Sequence, residues 1–450
     1  MSLSRKILFF VLILALSLTF MPEVVTAEEE MTLTWWITPW RIRTPDMDPD
    51  EAPDGEQFAA YVSRRFEDKY PHVNVEYQMV THTGKEEQAT AAMFAGNPPH
   101  VYWEQGSPNP EWVAQGQLAP ITSYLTEEDK EDFIDNTLET GKIGGEYYMW
   151  PWNNSNNGMG STLLLNVERF AERGVEIPED RSWTMDEFLD VAQQLTYDGN
   201  YAITLAAEDT LNMLGWMHRF GARMLNEDET EFVLNEPEGV EALQFMVDLI
   251  HEYEVAPDGA AGMGVYDAID NFHAGRTAMG YGGIYEIGRI DRYYRSGDLV
   301  DPFEVRIAQF PHDPEIGPVA YQVNGGFLIF QREDEDELEM AMEFARFITG
   351  PEMIGMLEDL LYITSRESVN QQLTFEDMDR YTDTDIMIEV EVYTKAIEYG
   401  VNYYGSPDVP VGEAMPYFTS AMEAALSLDM TAQEALDYFV ENANRVVFGN

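Results

Sequence analysis

The chain has no cysteine among its 450 residues. It can form neither a disulfide nor a thiolate-ligated metal centre, and it offers no cysteine for a lipid anchor. Basic residues are scarce as well: 26 lysines and arginines stand against 82 aspartates and glutamates, a formal net charge of −56. That balance argues against nucleic acid as a partner, because binding phosphate needs the opposite sign. Such an excess repels itself unless salt screens it, so the surface reads as adapted to high salinity. Among so many carboxylates close pairs arise by chance, and a pair alone is no sign of acid/base catalysis. Long apolar runs are missing too, with one exception. Ile7 to Phe20 follows Arg5 and Lys6 and precedes the small residues Val25, Thr26 and Ala27, which predicts a secretory signal peptide over 1–27. The run is too short to span a bilayer, so the expected product is exported, periplasmic or extracellular, with no lipid anchor.

Motifs for chemistry are equally sparse. The histidines show no HExxH or paired spacing, which argues against zinc, and there is neither a GxSxG elbow nor a Walker loop. The acidic loop starting at Asp46 has Glu51 where a calcium-binding EF-hand needs glycine and Gln57 where it needs its bidentate glutamate. No metal and no cofactor is expected.

What is present is an alternation of strands and helices. MTLTWWI (31–37) reads as a strand, EQFAAYVSRRFEDKY (56–70) as an amphipathic helix and VNVEYQMV (73–80) as a second strand. That unit places its two strands parallel in one sheet. PHVYWE (99–104), STLLLN (161–166) and YAITLA (201–206) continue as strands. Thr184/Glu187 and Thr431/Glu434 have capping-box spacing ahead of two helices. A chain of this length exceeds one hydrophobic core, so an α/β fold in two lobes is predicted.

The order of these segments resembles the extracellular solute-binding proteins of ABC importers, in the branch that binds sugars and oligosaccharides. The resemblance is carried by LTWWITP, AGNPPHVYWEQG, GEYYMWPW with LLLN after it, SWTMDEF, FHAGRTAMGYGG (272–283), VNGGFLIF, AMEFARFITGPE, ITSRES and TAQEALDYF. The most diagnostic piece is Phe272, Gly275, Ala278 and Met279. The resemblance implies a two-lobe periplasmic-binding-protein fold with a hinge and a ligand held between the lobes. The first lobe is expected over 28–153 with 324–372, the second over 154–323 with 373–450. The implied function is capture of a mono- or oligosaccharide by lobe closure and delivery to membrane permease subunits, by a monomer without covalent chemistry. A secreted glycosidase-like enzyme, or the same fold holding a peptide, polyamine or compatible solute, is the alternative.

A sugar site needs flat aromatic platforms together with amides or charged groups for the hydroxyls. By position in the family pattern the candidates are Trp36, Trp40, Trp103, Glu104, Trp152, Asn153, Trp216, Tyr285 and Tyr417. Arg41 is added because basic residues are so few: either it pairs with the acidic loop, or it receives a ligand carboxylate. Trp35 must face away from Trp36 and belongs to the core. Trp112 and Trp183 read as packing residues, and Gly325 and Gly326 as a hinge or a close backbone approach.

Overall fold

Eight strands build the two main sheets: β1 (Met31–Ile37), β2 (Val73–Met79), β3 (Val101–Gln105), β4 (Met149–Asn153), β5 (Thr162–Asn166), β6 (Met279–Tyr281), β7 (Val305–Gln309) and β8 (Gly325–Ile329). The computed structural model describes residues 30–48, 53–81, 84–154, 160–296, 303–321, 324–372, 381, 383–397, 400–401 and 409–449. The signal peptide expected over 1–27 lies outside them, as do parts of the acidic loop.

The first sheet has the order β2-β1-β3-β8-β4. β1 and β2 pair parallel from Met31↔Val73 to Ile37↔Met79, with helix Gln57–Lys69 between them. Strand alternation sends Leu33, Trp35 and Ile37 to one face. There they meet Phe58, Val62 and Phe66 of that helix and Phe344 and Ile348 of helix Glu335–Ile348. Trp35 is core: it packs edge-on against Phe344 at 5.2 Å and donates Nε1–H to Ser63 at 3.1 Å. β4 carries Pro151, which an edge strand tolerates because its missing N–H breaks no ladder. At the β8 bulge, a Cβ on Gly326 would collide with the Trp150 carbonyl. Only glycine lets the two strands approach there.

The second sheet has the order β6-β5-β7. Leu163 and Leu165 face a core built by helices Met185–Leu195, Thr210–Arg219, Pro237–His251, Met415–Leu426 and Ala432–Ala443. Leu164 faces a smaller cluster on the other side. Both capping boxes form, Thr184 with Glu187 and Thr431 with Glu434. Trp183 is buried against Phe170, and Trp112 against Tyr102 and Phe330. One predicted strand is not formed. In YAITLA only Tyr201 and Ala202 bond the Arg276–Met279 segment, and the rest turns away toward the helix beginning at Thr210.

Arginines serve as internal ties. Arg366 reaches Asp129 and Asp132 at 2.9 Å each and the Thr349 carbonyl at 2.6 Å. Arg181 fastens β7 to helix Asp383–Ile397 through Glu389 at 3.1 Å and the Ile307 carbonyl at 3.1 Å. Among the described residues no helix is long and apolar enough to cross a membrane.

Candidate ligand-binding site

β1, β3 and β4 run in the same direction, so the residues at their C-terminal ends emerge along one edge of the first sheet. Thr38 and Trp40 follow β1, Glu104 lies near the end of β3, Asn153 closes β4 and Asn154 follows it. The Trp40 ring lies edge-on against Trp152 at 4.7 Å, Trp103 at 5.5 Å and Tyr362 at 5.3 Å. Edge-to-face contact suits the ring quadrupoles and holds the four aromatics in a fixed relation.

Polar groups along this edge are buried without partners. Among the described residues, Thr38 Oγ1, Trp40 Nε1, Glu104 Oε2, Trp152 Nε1, Asn153 Oδ1 and Nδ2, and Asn154 Oδ1 have no hydrogen bond. All six side chains are more than nine-tenths buried. Such groups are rare in folded proteins, because each costs about 1–3 kcal/mol when left unpaired. The Asn153 amide lies over Gly325, where any Cβ would collide with its Oδ1.

Beside them Lys85 forms a buried ion pair with Glu104, with its ammonium 3.3 Å from the Tyr102 hydroxyl. Burial pushes the Glu104 carboxyl up, against the pull of Lys85. The Gln105 amide donates to Glu104 Oε1 at 2.8 Å, which leaves Oε2 as an open acceptor.

The second lobe contributes Tyr285, the first residue of helix Tyr285–Ser296. Its ring lies parallel to Tyr362, with centroids 5.0 Å apart and planes 2° apart. The Arg289 guanidinium sits 5.2 Å from the same ring. Glu286, fully buried, meets His273 Nε2 at 2.8 Å and Arg289 Nη1 at 2.9 Å, which fixes the first helical turn. Gly283 allows this closeness: a Cβ there would stand 3.0 Å from the Tyr285 ring and 3.2 Å from the Tyr393 hydroxyl. Burial, reinforced by the Glu286 charge, raises the Tyr285 hydroxyl well above its usual range, so it stays protonated.

Trp40, Trp103, Glu104, Trp152, Asn153 and, across Tyr362, Tyr285 are therefore brought together, but the Trp103 and Trp152 rings are fully buried in the first core, Trp152 against Phe58 and Phe327, and offer no open platform. Trp36 is half-buried on the other face of the first sheet, packed beside Tyr102 and Trp112. Arg41 is exposed and has no ion-pair partner among the described residues. Of its two anticipated roles, pairing with the acidic loop is not seen among the described residues, where Asp46 takes Arg64 and Arg43 donates to the Asp48 carbonyl at 3.0 Å; Asp50 and Glu51 lie outside them. Trp216 is not at this site. It is fully buried in the second core against Phe188, Phe245 and Phe310, with Nε1 donating to Tyr281 at 3.1 Å. With its ring so enclosed it offers no platform. Tyr417 packs 6.3 Å from Tyr438 on the C-terminal helices. Lys85 and Tyr362 were missed from sequence. A lysine at a helix start is usually a solvated charge, and nothing in DLLYIT marks its tyrosine. Only the scarcity of cations could have drawn attention to Lys85.

The family description of the bacterial extracellular solute-binding proteins matches residues 48–354. The chain belongs to that family. An arabinooligosaccharide-binding protein of Halalkalibacterium halodurans is 27% identical over 141 residues, 31% of this solute-binding protein and 30% of that relative. The match thus spans less than a third of the curated relative. Among solved structures, an ABC substrate-binding protein of Listeria monocytogenes in complex with cycloalternan superposes with a TM-score of 0.74 at 20% identity, covering 93% of this chain and 99% of that one. A solute-binding protein from Thermotoga lettingae bound to α-D-tagatose gives 0.73 at 21%, over 92% and 99%. A maltose-bound protein of T. maritima gives 0.74 at 17%, over 93% and 100%. At these identities the likeness is one of fold: a two-lobe periplasmic-binding architecture.

Proposed function

We propose that this solute-binding protein captures a mono- or oligosaccharide between its lobes and delivers it to the permease of an ABC importer, acting outside the cytoplasm, as a monomer and without chemistry. The lobes are assigned to 28–153 with 324–372 and to 154–323 with 373–450. The observation that carries this reading is the row of buried, unpartnered donors and acceptors at the strand ends beside the Trp40–Tyr362–Tyr285 rings. A sugar ring presents alternating hydroxyls and C–H faces, which is the complement of that surface. The solved relatives named with cycloalternan, tagatose and maltose support the same ligand class.

The magnitudes are adequate. Micromolar affinity requires about 8 kcal/mol. Satisfying three or four orphaned groups at about 1–3 kcal/mol each, with one or two stacked rings at about 1 kcal/mol each, reaches that order after the cost of closure.

The test is thermal unfolding of the chain from Glu28 onward in high salt, against neutral and uronic mono- and oligosaccharides, with the same samples assayed for product. A raised midpoint with intact sugar supports capture, since a ligand bound only to the native state stabilises it by mass action. Product formation would make the protein an enzyme. No response to any sugar would point to another solute.

A further inference from the structure

Residues 361–363 have two attachments. On one side the chain that follows them is bound to β4: Asn154 N–H donates to the Ile363 carbonyl at 3.0 Å, Ser365 N–H to the Trp152 carbonyl at 3.1 Å, and Ser365 Oγ–H to the Pro151 carbonyl at 2.9 Å. On the other side Leu361 and Ile363 are buried in the small second-lobe cluster with Ile284, Ile287 and Phe303. Between them Tyr362 lies flat on Tyr285 while its edge meets Trp40. Leu361 holds φ at +57°, a left-handed conformation that a leucine rarely adopts. Strain of that kind persists only where the surroundings over-determine the backbone, and here both neighbouring apolar side chains are anchored.

We propose that residues 361–363 form a strap that holds the lobes together in the ligand-free protein, with Tyr362 occupying the place on the Tyr285 ring that a ligand ring takes. This rests on the reading of Tyr285 as a ligand platform. Tyr285 is only 6% exposed, and the ring that covers it belongs to the segment tethered to β4. A sugar that stacks on Tyr285 must first displace Tyr362. The strap therefore makes the empty site self-covering: ligand entry exchanges one ring stack for another, and lobe closure does not depend on ligand alone.

The test is made without sugar. Lobe separation is measured by a pair of distance labels, one on each lobe, in the full-length mature chain and in Tyr362→Ala, Tyr362→Leu, Tyr362→Phe, Tyr285→Ala and the Tyr362→Ala/Tyr285→Ala double variant. Removing a stacked pair should shift the closed-to-open ratio toward open by roughly two- to twelve-fold. Tyr362→Ala, Tyr362→Leu and Tyr285→Ala should each show it, Tyr362→Phe should stay closed because its ring remains, and the double variant should open no further than either single one. Tyr362→Leu keeps apolar bulk without a ring, so it carries the test should the alanine variant fail to fold. Unchanged lobe separation in Tyr362→Leu, or additive effects in the double variant, would overturn the strap. A failed sugar screen removes the platform reading and leaves this outcome standing, so the two ideas fail separately.

Discussion

The two halves of the proposed site treat their polar groups differently. On the first-lobe edge Thr38, Trp40, Glu104, Trp152, Asn153 and Asn154 keep buried atoms without partners. On the second-lobe side the Glu286 carboxylate is ion-paired with His273 and Arg289, although its Oε1 also lacks a hydrogen bond; away from the site, Asp209 accepts from Asn212 N–H at 3.2 Å, and Asn212 Oδ1 accepts from Gly160 N–H at 2.6 Å. One half leaves several neutral donors and acceptors open in reserve, and the other sets a paired charge, Glu286 with His273 and Arg289, beside an aromatic ring. Under the proposed function, a ligand's hydroxyls would be read mainly by the first lobe, and the second lobe would supply an aromatic face.

The largest expected effect tests whether the first lobe's open groups stand on a tied frame. Arg366→Met should destabilise by about 2–4 kcal/mol, because it leaves the buried Asp129 with only the more distant Arg346 and the half-buried Asp132 without a cation. Burial raises both carboxyls, but bonds from Arg366, from Thr126 to Asp129 and from Ser368 to Asp132 outweigh it, and both end below their usual range. With folded values depressed, their contribution is present above the unfolded value and lost as pH falls through the folded one. The wild type should therefore lose this stability only below about pH 4, and denaturant titrations of both proteins across pH 2–7 would show it. A change under about 1 kcal/mol would break the contrast between frame and reserve.

The second lobe's own packing, away from the site, is probed by Asp209→Asn. Burial pushes the Asp209 carboxyl up to about 6, against the bonds from Asn212. A raised folded value means that the group favours folding below the unfolded value, and that this contribution is lost as pH rises through the folded value. The asparagine variant should be more stable than wild type above about pH 6, by up to about 3 kcal/mol, and equal to it below about pH 4. Equal stabilities at pH 8 would mean that Asp209 is not a strained member of a satisfied network.

Asn153→Ala addresses the reserve itself. Since neither amide atom has a partner, the variant should keep its unfolding midpoint or gain slightly. Its affinity for the captured solute should fall by about tenfold, the worth of roughly 1.4 kcal/mol. Calorimetric binding beside thermal unfolding separates the two, and a large loss of stability would make Asn153 structural.

The smallest effect belongs to Arg41→Ala, which should change stability by less than about 0.5 kcal/mol at so exposed a position. If Arg41 receives a ligand carboxylate, the variant loses any preference for uronic over neutral oligosaccharides. Equal competition by both classes in the wild type would remove that role.

Much of the first sheet was legible in advance because strand alternation is local. Trp35 and Trp36 had to face apart, and the β1–helix–β2 crossover had to be parallel. The capping boxes were legible for the same reason, being four-residue patterns. YAITLA misled because its β propensity met no continuous partner strand. Of the candidate residues, those in the last residues of β3 and β4, with Trp40 just after β1, converged, since the direction of a strand decides where its end lies; Trp36 did not, because strand alternation turns it to the other face. Trp216 did not, because on a helix the same ring faces the core or the cleft according to a rotation that its own sequence does not fix.

The sequence by itself determined the alternating α/β pattern, the absence of thiol chemistry, the acidic composition and the family's segment order, all of which follow from composition and short-range spacing. Tertiary structure alone decided that Lys85 lies on Glu104, that Tyr362 covers Tyr285, and that the amides and indoles at the strand ends are buried without partners. Those facts join residues up to hundreds of positions apart, and such juxtapositions are set by how two sheets and their connections pack.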